Sequence, residues 1–380
     1  MTAVKVVHMT TVHSAMDGRI FHKECRSLAR AGFHVTSIGP HSKDVVVDQV
    51  NIKSIPRDRS RLARMTRAVW RTYREALRQN ADIYHFHDPE LIPVGLLLRA
   101  RGKSVIYDLH EDCPRDILSK EYLPRWTRQG VAWMMEQLER AACRRFSGLV
   151  AVTPFIADRF REINGRTVIV HNFPYAEELI PQDGFGSWDA RKQAVAYVGG
   201  LTGERGIREM VQAMGLLPAS LPATLELAGQ TVPRNVQLEA LHGEPGWRRV
   251  NFHGRLDLPG TFRILQSARA GLMILHPIPS YLDSLPQKFF EYMGAGIPVI
   301  VSDFPLWRGI VEPSGCGLLV DPLDTRVLAQ AIEYVLTHPE EAEEMGRRGR
   351  ALLLKKYSWH TEAQKLVDLY SVLGKPICAG

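Results

Sequence analysis

The residues with the clearest chemical potential lie in five short stretches. In "DSLPQKFFEYMGAG" (283–296), Glu291 stands among Phe289, Phe290, Tyr292 and Met293. A carboxylate in such company is costly to bury without a partner. The stretch reads as a helix starting near Leu285 or Pro286, with Asp283 or Ser284 as its N-cap and proline in its first turn. Free N–H groups at such a helix start, with the positive dipole end, make a phosphate site. Lys288 is poorly placed against that dipole unless an anion binds there. Glu291 lies about a turn and a half in and points back toward the helix start. There it can accept hydrogen bonds from ribose hydroxyls. The bland alternative is a solvated position, or a pairing with a local base.

The second stretch, "YVGGLTGERGI" (197–207), is a strand, a Gly-rich turn and a helix. Gly199 and Gly200 permit close backbone approach, and Arg205 can bridge phosphate oxygens. An ordinary strand-to-helix turn explains the same residues. The other three stretches lie in the first half. They are "HSAMDGRIF" with His13, Asp17 and Arg19, "HFHDPEL" with His87 and Asp88, and "YDLHED" with His110 and Glu111. Each puts polar groups directly after an apolar strand, where a histidine or carboxylate can bind sugar hydroxyls or receive a proton. Singly, each histidine is more often structural, and Asp17 can simply cap the next helix.

The elements that must position these residues alternate regularly. Strands are expected at 4–9, 34–39, 83–87, 104–109, 148–153 and 167–172, then at 194–200, 224–230, 250–256, 270–276, 297–303 and 317–321. Helical patterns follow most of them. Apolar strands without alternation, each followed by a helix, predict parallel sheets covered on both faces. The fold class is therefore α/β, two Rossmann-like domains in tandem that face each other across a cleft. Residues 1–174 form the first domain, 175–191 a linker and 192–357 the second, with a closing helix over about 358–380.

Several chemistries lack their motif. There is no G-x-G-x-x-G after either first strand, no Walker A sequence, no H-E-x-x-H and no D-x-D pair. A nicotinamide or P-loop enzyme is not expected; a mechanism without metal or cofactor is. Of 380 residues, 45% are apolar and 23% charged, a soluble globular composition. No apolar run is long enough to span a bilayer, and the N-terminus reads as a strand rather than a signal peptide. Five widely spaced cysteines argue against a disulfide framework and for a reducing cytoplasm.

Charge is uneven. Residues 1–174 carry 28 Lys and Arg against 18 Asp and Glu, and the remainder 20 against 23. A basic half suggests an anionic partner. Residues 57–80 hold eight arginines and only Asp58 and Glu75 as acids. Leu62, Met65, Val69, Trp70, Tyr73 and Leu77 recur there at helical spacing, a stripe expected to pack the helix on its own sheet. The arginines can then face an anionic membrane. No nucleic-acid module surrounds them, so nucleic acid is not expected as a partner.

Together these motifs resemble the retaining glycosyltransferases of family 4, which have the GT-B fold, over nearly the whole chain. "LPQKFFEYMGAGIPVIVSD" is similar to the second half of the family's Glu-x7-Glu signature. Glu291 falls on the ribose-binding glutamate and Asp283, one methylene shorter, on the first. The amides of Ser284, Leu285 and Pro286's neighbours would serve beside it. "GGLTGERGI" resembles the family's phosphate element. Arg205 stands for its usual lysine and Gly200 for its preceding arginine, with Lys288 as a substitute cation. "VNFHGRL" resembles the base-binding turn, at Gly254 and Arg255, and "VIYDLHE" brings His110 onto the donor-sugar histidine. "DIYHFHDPEL" and "DGRIF" look like a bacterial subgroup that assembles surface polysaccharides. "YSW" resembles the segment that carries the last helix back to the first domain.

The resemblance implies metal-independent transfer of a hexosyl or N-acetylhexosaminyl group from a nucleotide diphosphate sugar, UDP slightly favoured. The acceptor would be a hydroxyl of a glycan or lipid-linked molecule at the inner face of the cell membrane. Catalytic roles fall to His110, Asp283, Arg205 and Lys288. Donor contacts fall to Glu291, Gly199, Gly200, Ser284, Leu285, Pro286, Gly254 and Arg255. His13, Asp17, Arg19, His87, Asp88 and Glu111 are candidates on the acceptor side. The rival readings are a non-hydrolysing nucleotide-sugar epimerase, which needs no acceptor, and a non-catalytic nucleotide-sugar binder.

Overall fold

Twelve of the strands expected from the sequence form two sheets in a computed structural model that describes residues 3–58, 60–119, 124–179, 187–230 and 238–374. The chain divides into unit 1, Met1–Asn172 with Trp359–Gly380, and unit 2, Phe173–Ser358. Unit 1 contains β1 (Lys5–Met9), β2 (His34–Pro40), β3 (Val45–Val47), β4 (Val50–Ile55), β5 (Ile83–Phe86), β6 (Ser104–Leu109), β7 (Gly148–Ala151) and β8 (Thr167–Ile169). Their order is β3-β4-β2-β1-β5-β6-β7-β8, parallel except for β3 against β4.

The β3–β4 hairpin is the part the sequence expectation lacks. Its turn residues Asp48 and Gln49 both hold positive φ, 49° and 64°. A two-residue hairpin needs that pair of left-handed residues, and here neither is the glycine or asparagine that usually announces it.

The helices of unit 1 are α1 (Arg26–Arg30), α2 (Arg61–Ala63), α3 (Val69–Gln79), α4 (Ile92–Ala100), α5 (Cys113–Ser119), α6 (Arg125–Cys143), α7 (Pro154–Asp158) and, after unit 2, a last helix, Trp359–Leu373. Alternation along the strands separates two faces. Val7, Met9, Tyr84, Phe86, Tyr107 and Leu109 point to one, where α3, α4, α6 and α7 complete an apolar core. His8, His85 and Asp108 occupy the alternate positions. The other face is covered by the helical run over 20–30 and by the last helix, whose Tyr370 reaches His8 and His85.

The apolar stripe expected to seat residues 57–80 on the sheet is corrected in part: Val69 and Tyr73 do pack on the core, and the rest does not. The buried stripe is Ala68, Thr72, Tyr73 and Ala76, while Leu62, Met65, Trp70 and Leu77 are exposed. Small residues let the helix lie close to the strands, so the large apolar ones are turned outward.

Unit 2 contains β9 (Ala194–Val198), β10 (Thr224–Ala228), β11 (Val250–Phe252), β12 (Ala270–Met273), β13 (Val299–Ser302) and β14 (Gly317–Val320), in the order β11-β10-β9-β12-β13-β14, all parallel. Its helices are α8 (Ile207–Leu216), α9 (Leu238–Leu241), α10 (Leu258–Ser267), α11 (Pro279–Leu282), α12 (Gln287–Gly294), α13 (Pro305–Ser314), α14 (Thr325–Thr337) and α15 (Pro339–Lys356), so the last helix, Trp359–Leu373, is α16. Of the stretch expected as a linker, Ala176, Leu179 and Trp188 are buried in this unit's core beside Phe173; residues 180–186 lie outside the described residues. Among the described residues no helix is long and apolar enough to cross a membrane.

Candidate functional site

In unit 2 the polar groups gather at the carboxyl ends of β9, β10, β11 and β12. Gly199 follows β9 with a φ of +154°, and Gly229 follows β10 with +153°, values that L side chains rarely adopt. A Cβ on Gly229 would come within 1.7 Å of the Gly199 carbonyl oxygen, and one on Gly199 within 2.0 Å of Lys288 Cε. The Gly229 amide donates to the Gly254 carbonyl at 2.7 Å. Glycine thus forms a bare backbone shelf across three strand ends, and Lys288 lies directly on it.

Arg205, from the turn after β9, approaches the same shelf. Its Nη1 is 3.5 Å from where a Gly200 Cβ would stand, and its guanidinium lies beside the Tyr197 and Tyr281 hydroxyls. The Tyr197 hydroxyl donates to the Gly200 carbonyl at 2.8 Å. Burial, and then the Arg205 charge, lower the Lys288 amine, with Glu291 partly offsetting them. Two mutually repelling cations held over bare backbone are favoured by an anion between them.

Helix α12 explains how Glu291 tolerates its neighbours. Phe289, Phe290, Tyr292 and Met293 are buried, and the Tyr292 hydroxyl donates to the Leu272 carbonyl at 3.1 Å. Lys288 and Glu291, three apart, share the other face. Glu291 is half-buried and close enough to raise Lys288, so it is neither a core residue nor a solvated one.

The expected caps are corrected. Pro286 is the N-cap of α12, and no side chain caps it. Asp283 instead ends α11. The Ser284 hydroxyl donates to the Tyr281 carbonyl at 3.0 Å, and the Ser284 carbonyl accepts from Trp307 Nε1 at 2.8 Å. The short helix α11, unforeseen in the sequence, redirects both side chains. Leu285 and Pro286 are half-buried just before α12, and Arg255 is exposed beyond Gly254.

In unit 1 a buried polar cluster occupies the sheet face opposite the apolar core. Strand register sets His8 beside His85 and Phe86 beside Tyr107, which brings His87 next to Asp108. A chain of close nitrogen pairs follows. His110 Nε2 lies 3.0 Å from His87 Nδ1, His87 Nε2 lies 3.0 Å from His8 Nδ1, and His8 Nε2 lies 3.1 Å from the Tyr370 hydroxyl. That hydroxyl is 2.6 Å from His85 Nδ1. Asp108 Oδ2 also lies 3.0 Å from His110 Nε2, and the Arg19 guanidinium donates to both Asp108 oxygens.

The electrostatics follow from burial. Burial alone would raise Asp108, but Arg19 and His110 outweigh it and hold the carboxyl well below its usual range. Burial raises Glu24 well above its usual range, with Asp108 adding to the effect. Burial lowers His8 and His85 far below the ordinary imidazole value, and His87 to about 4. His8, His85 and His87 are therefore neutral and share their protons along the chain.

Two groups here, His8 with Glu24, His85 and His87, and His87 with Asp108 and His110, bring metal-ligand types close together. The paired nitrogens, however, face each other. Ring centres are 5.2 Å apart for His8–His87 and 5.1 Å for His87–His110, which leaves each nitrogen pair near the line joining its rings. That suits hydrogen bonds between rings, whereas a shared metal needs both nitrogens aimed at a third point.

Three acceptor-side expectations are corrected by burial. Arg19, His87 and Asp88 are closed off from solvent. Arg19 holds Asp108 and Glu24. Asp88 Oδ2 accepts from Thr10 Oγ1 at 2.8 Å and from the Thr11 amide at 2.6 Å, pinning the loop after β1. His13, Asp17 and Glu111 remain accessible, with His110 partly so. Asp17 Oδ1 accepts from the Arg19 and Ile20 amides, so it does start the next helix. The sequence reading missed His8, Glu24, His85, Asp108 and Tyr370. Its available signal was a polar residue alternating with apolar ones inside β1, β5 and β6.

Residues 18–173 match the family profile described as Glycosyltransferase Family 4, and residues 221–368 the one described as Glycosyl transferase-like. The chain is 27% identical to a glycogen synthase of Mycobacterium tuberculosis over 46% of its length and 41% of the relative's. It thus spans about two fifths of that relative. It is 25% identical to the D-rhamnosyltransferase WbpZ of Pseudomonas aeruginosa over 75% of this chain and 71% of that one.

Among solved structures, a sucrose-phosphate synthase of Thermosynechococcus elongatus superposes with a TM-score of 0.76 at 22% identity, over 98% of this chain and 99% of that one. Anabaena Alr3699/HepE in complex with UDP and glucose does so with 0.71 at 15%, over 97% and 100%. At these identities the structural likeness concerns the fold.

Proposed function

For a chain that belongs to the family 4 glycosyltransferases of GT-B fold, we propose the transfer of a sugar from a nucleotide diphosphate sugar to an acceptor hydroxyl, with retention at the anomeric carbon. The observation that carries this reading is the convergence of Lys288 and Arg205 on the bare Gly199–Gly200 shelf. A diphosphate is the anion that fits two cations, open backbone and an α12 start that no side chain caps. Glu291, on the Lys288 face of α12, takes the ribose hydroxyls, and the turn at Gly254 and Arg255 takes the base. His110 and Asp283 serve the transferred hexosyl or N-acetylhexosaminyl group. UDP is the favoured nucleotide, in keeping with the UDP and glucose bound by the Anabaena neighbour.

In the reaction, the bond from the anomeric carbon to the diphosphate oxygen breaks, and a bond to the acceptor oxygen forms on the same face. The acceptor proton passes to the leaving phosphate. The protein's task is to stabilise charge developing on that phosphate, which Lys288 and Arg205 do without a divalent ion at the diphosphate. We place the reaction in cell-surface polysaccharide or glycolipid assembly, on a glycan or lipid-linked acceptor at the inner face of the membrane.

Thermal shift with UDP-, GDP- and dTDP-sugars, with and without EDTA, tests the donor. Stabilisation by one nucleotide class, unchanged by EDTA and lost in Lys288→Ala, is the expected result. No stabilisation by any of them overturns the reading. Conversion of a nucleotide sugar without acceptor would identify an epimerase instead.

A further inference from the structure

Helices α3, α4 and α6 lie on one side of the unit 1 sheet, because Tyr73, Leu98 and Cys143 share a single core with Phe86 and Tyr107. The outer surface of this layer is unusual. On α6, Trp126 is 86% exposed, Trp133 63% and Met134 62%, with Leu138 also open. The other exposed positions among its described side chains are Gln129, Gly130, Gln137 and Ala141, all uncharged, while Arg128, Glu136 and Arg140 are half-buried. On α2 and α3, Leu62 is 75% and Trp70 58% exposed. A soluble monomer rarely leaves as much large apolar surface on one helix as α6 does.

Arginines outnumber acids on this layer, where Glu75 and Glu136 are half-buried. Arg67 and Arg74 on the α2–α3 run, and Arg140, Arg144 and Arg145 at the end of α6, have no ion-pair partner among the described residues. Tryptophan and leucine beside unpaired arginines match the interface of an anionic bilayer, where indole sits at headgroup depth and guanidinium meets lipid phosphate. A second copy of the chain fits less well. A two-fold interface sets a patch against itself, and these arginines would face one another.

We propose that this helical face of unit 1 docks on an anionic membrane, with α6 inserting Trp126 and Trp133 among the lipid headgroups and the unpaired arginines binding lipid phosphates. The proposal rests on the preceding reading only for placing the acceptor near a membrane; it uses no residue of the donor site.

Sedimentation of the full chain with vesicles of phosphatidylglycerol and phosphatidylcholine, against phosphatidylcholine alone, tests it. Quenching of tryptophan fluorescence by brominated lipids is read in parallel. Binding to the anionic vesicles only, with quenching, is expected. Trp126→Ser/Trp133→Ser should weaken binding at least tenfold and remove most of the quenching. Arg67→Gln/Arg74→Gln should weaken binding and lessen its salt dependence while quenching persists in the bound fraction. Equal binding to both vesicle types, no binding, or full binding by the tryptophan variant would overturn the proposal. So would a dimer, seen by light scattering, that the tryptophan variant abolishes. Nucleotide-induced thermal shift in the tryptophan variant should match the wild type. A missing shift in both proteins would count against the donor reading and leave the vesicle result standing.

Discussion

Glu291 draws its meaning from a three-residue spacing. It shares a face of α12 with Lys288, while its sequence neighbours fill the core. Glu291→Gln keeps the shape and loses the charge. We expect a donor KM roughly tenfold higher, about 1.4 kcal/mol of binding, with an unchanged melting temperature; unaltered kinetics would refute the ribose assignment. Lys288→Ala should weaken nucleotide binding and also slow the chemical step, lowering kcat by about 10² or more, as loss of a charge-stabilising donor does elsewhere. A fall in donor affinity alone would argue that Lys288 binds ground-state phosphate only. Tyr370 is the residue-scale test of unit 1. Its hydroxyl serves both His8 and His85, and Tyr370→Phe leaves two buried imidazole nitrogens without it. Urea denaturation should show a loss of about 2–6 kcal/mol, from roughly 1–3 per stranded group. Because each neutral imidazole has one N–H, His8 and His85 should also redistribute their ring protons, which nitrogen-15 NMR of the histidines reads directly.

At the scale of elements, α12 divides into a packing face and a chemical face. Phe290 is fully buried against Phe173 and Tyr357. Phe290→Ala should cost about 3–5 kcal/mol of stability, seen as an early thermal transition, in contrast to the silent Glu291→Gln. If Phe290→Ala melts like the wild type, the packing described for this helix is wrong. Helix α3 shows the limit of amphipathic reasoning. A 3.6-residue period locates a stripe, but Trp70 and Leu77 face outward because Thr72 and Ala76 allow the closer approach to the sheet. The β3–β4 hairpin is a related case: its turn residues lack the usual signature, so only the paired strands reveal it.

At the scale of the molecule, unit 1 buries an unusual number of ionisable groups, and its stability must depend on pH. Burial lowers His87 from 6.5 to about 4, so its neutral form is favoured in the folded chain. Its contribution is complete above pH 6.5 and is lost as pH falls toward 4, about 3 kcal/mol in all. Burial raises Glu139 to about 7, and its contribution runs the other way, lost as pH rises from 4.5 through 7. Urea midpoints of wild type and His87→Gln between pH 7 and 4.5 separate the two. The wild type should lose more stability than the variant across that range, and parallel curves would show that His87 is not a buried neutral imidazole.

The positions of twelve strands along the chain, the parallel two-domain scheme and the Gly-rich turn with Arg205 were legible in the sequence, because each rests on local spacing and on residue types with narrow conformational uses. So was the resemblance to the family, from motifs that are short and contiguous in the chain. Tertiary structure alone decided which polar groups meet. Lys288 reaches Gly199 across 89 positions of chain, and Tyr370 reaches His8 across 362. It also decided which face of α3 is covered, and that Arg19, His87 and Asp88 are scaffold rather than surface. Burial and partnership are set by what packs over a residue, and strand register and helix approach bring that partner from anywhere in the chain.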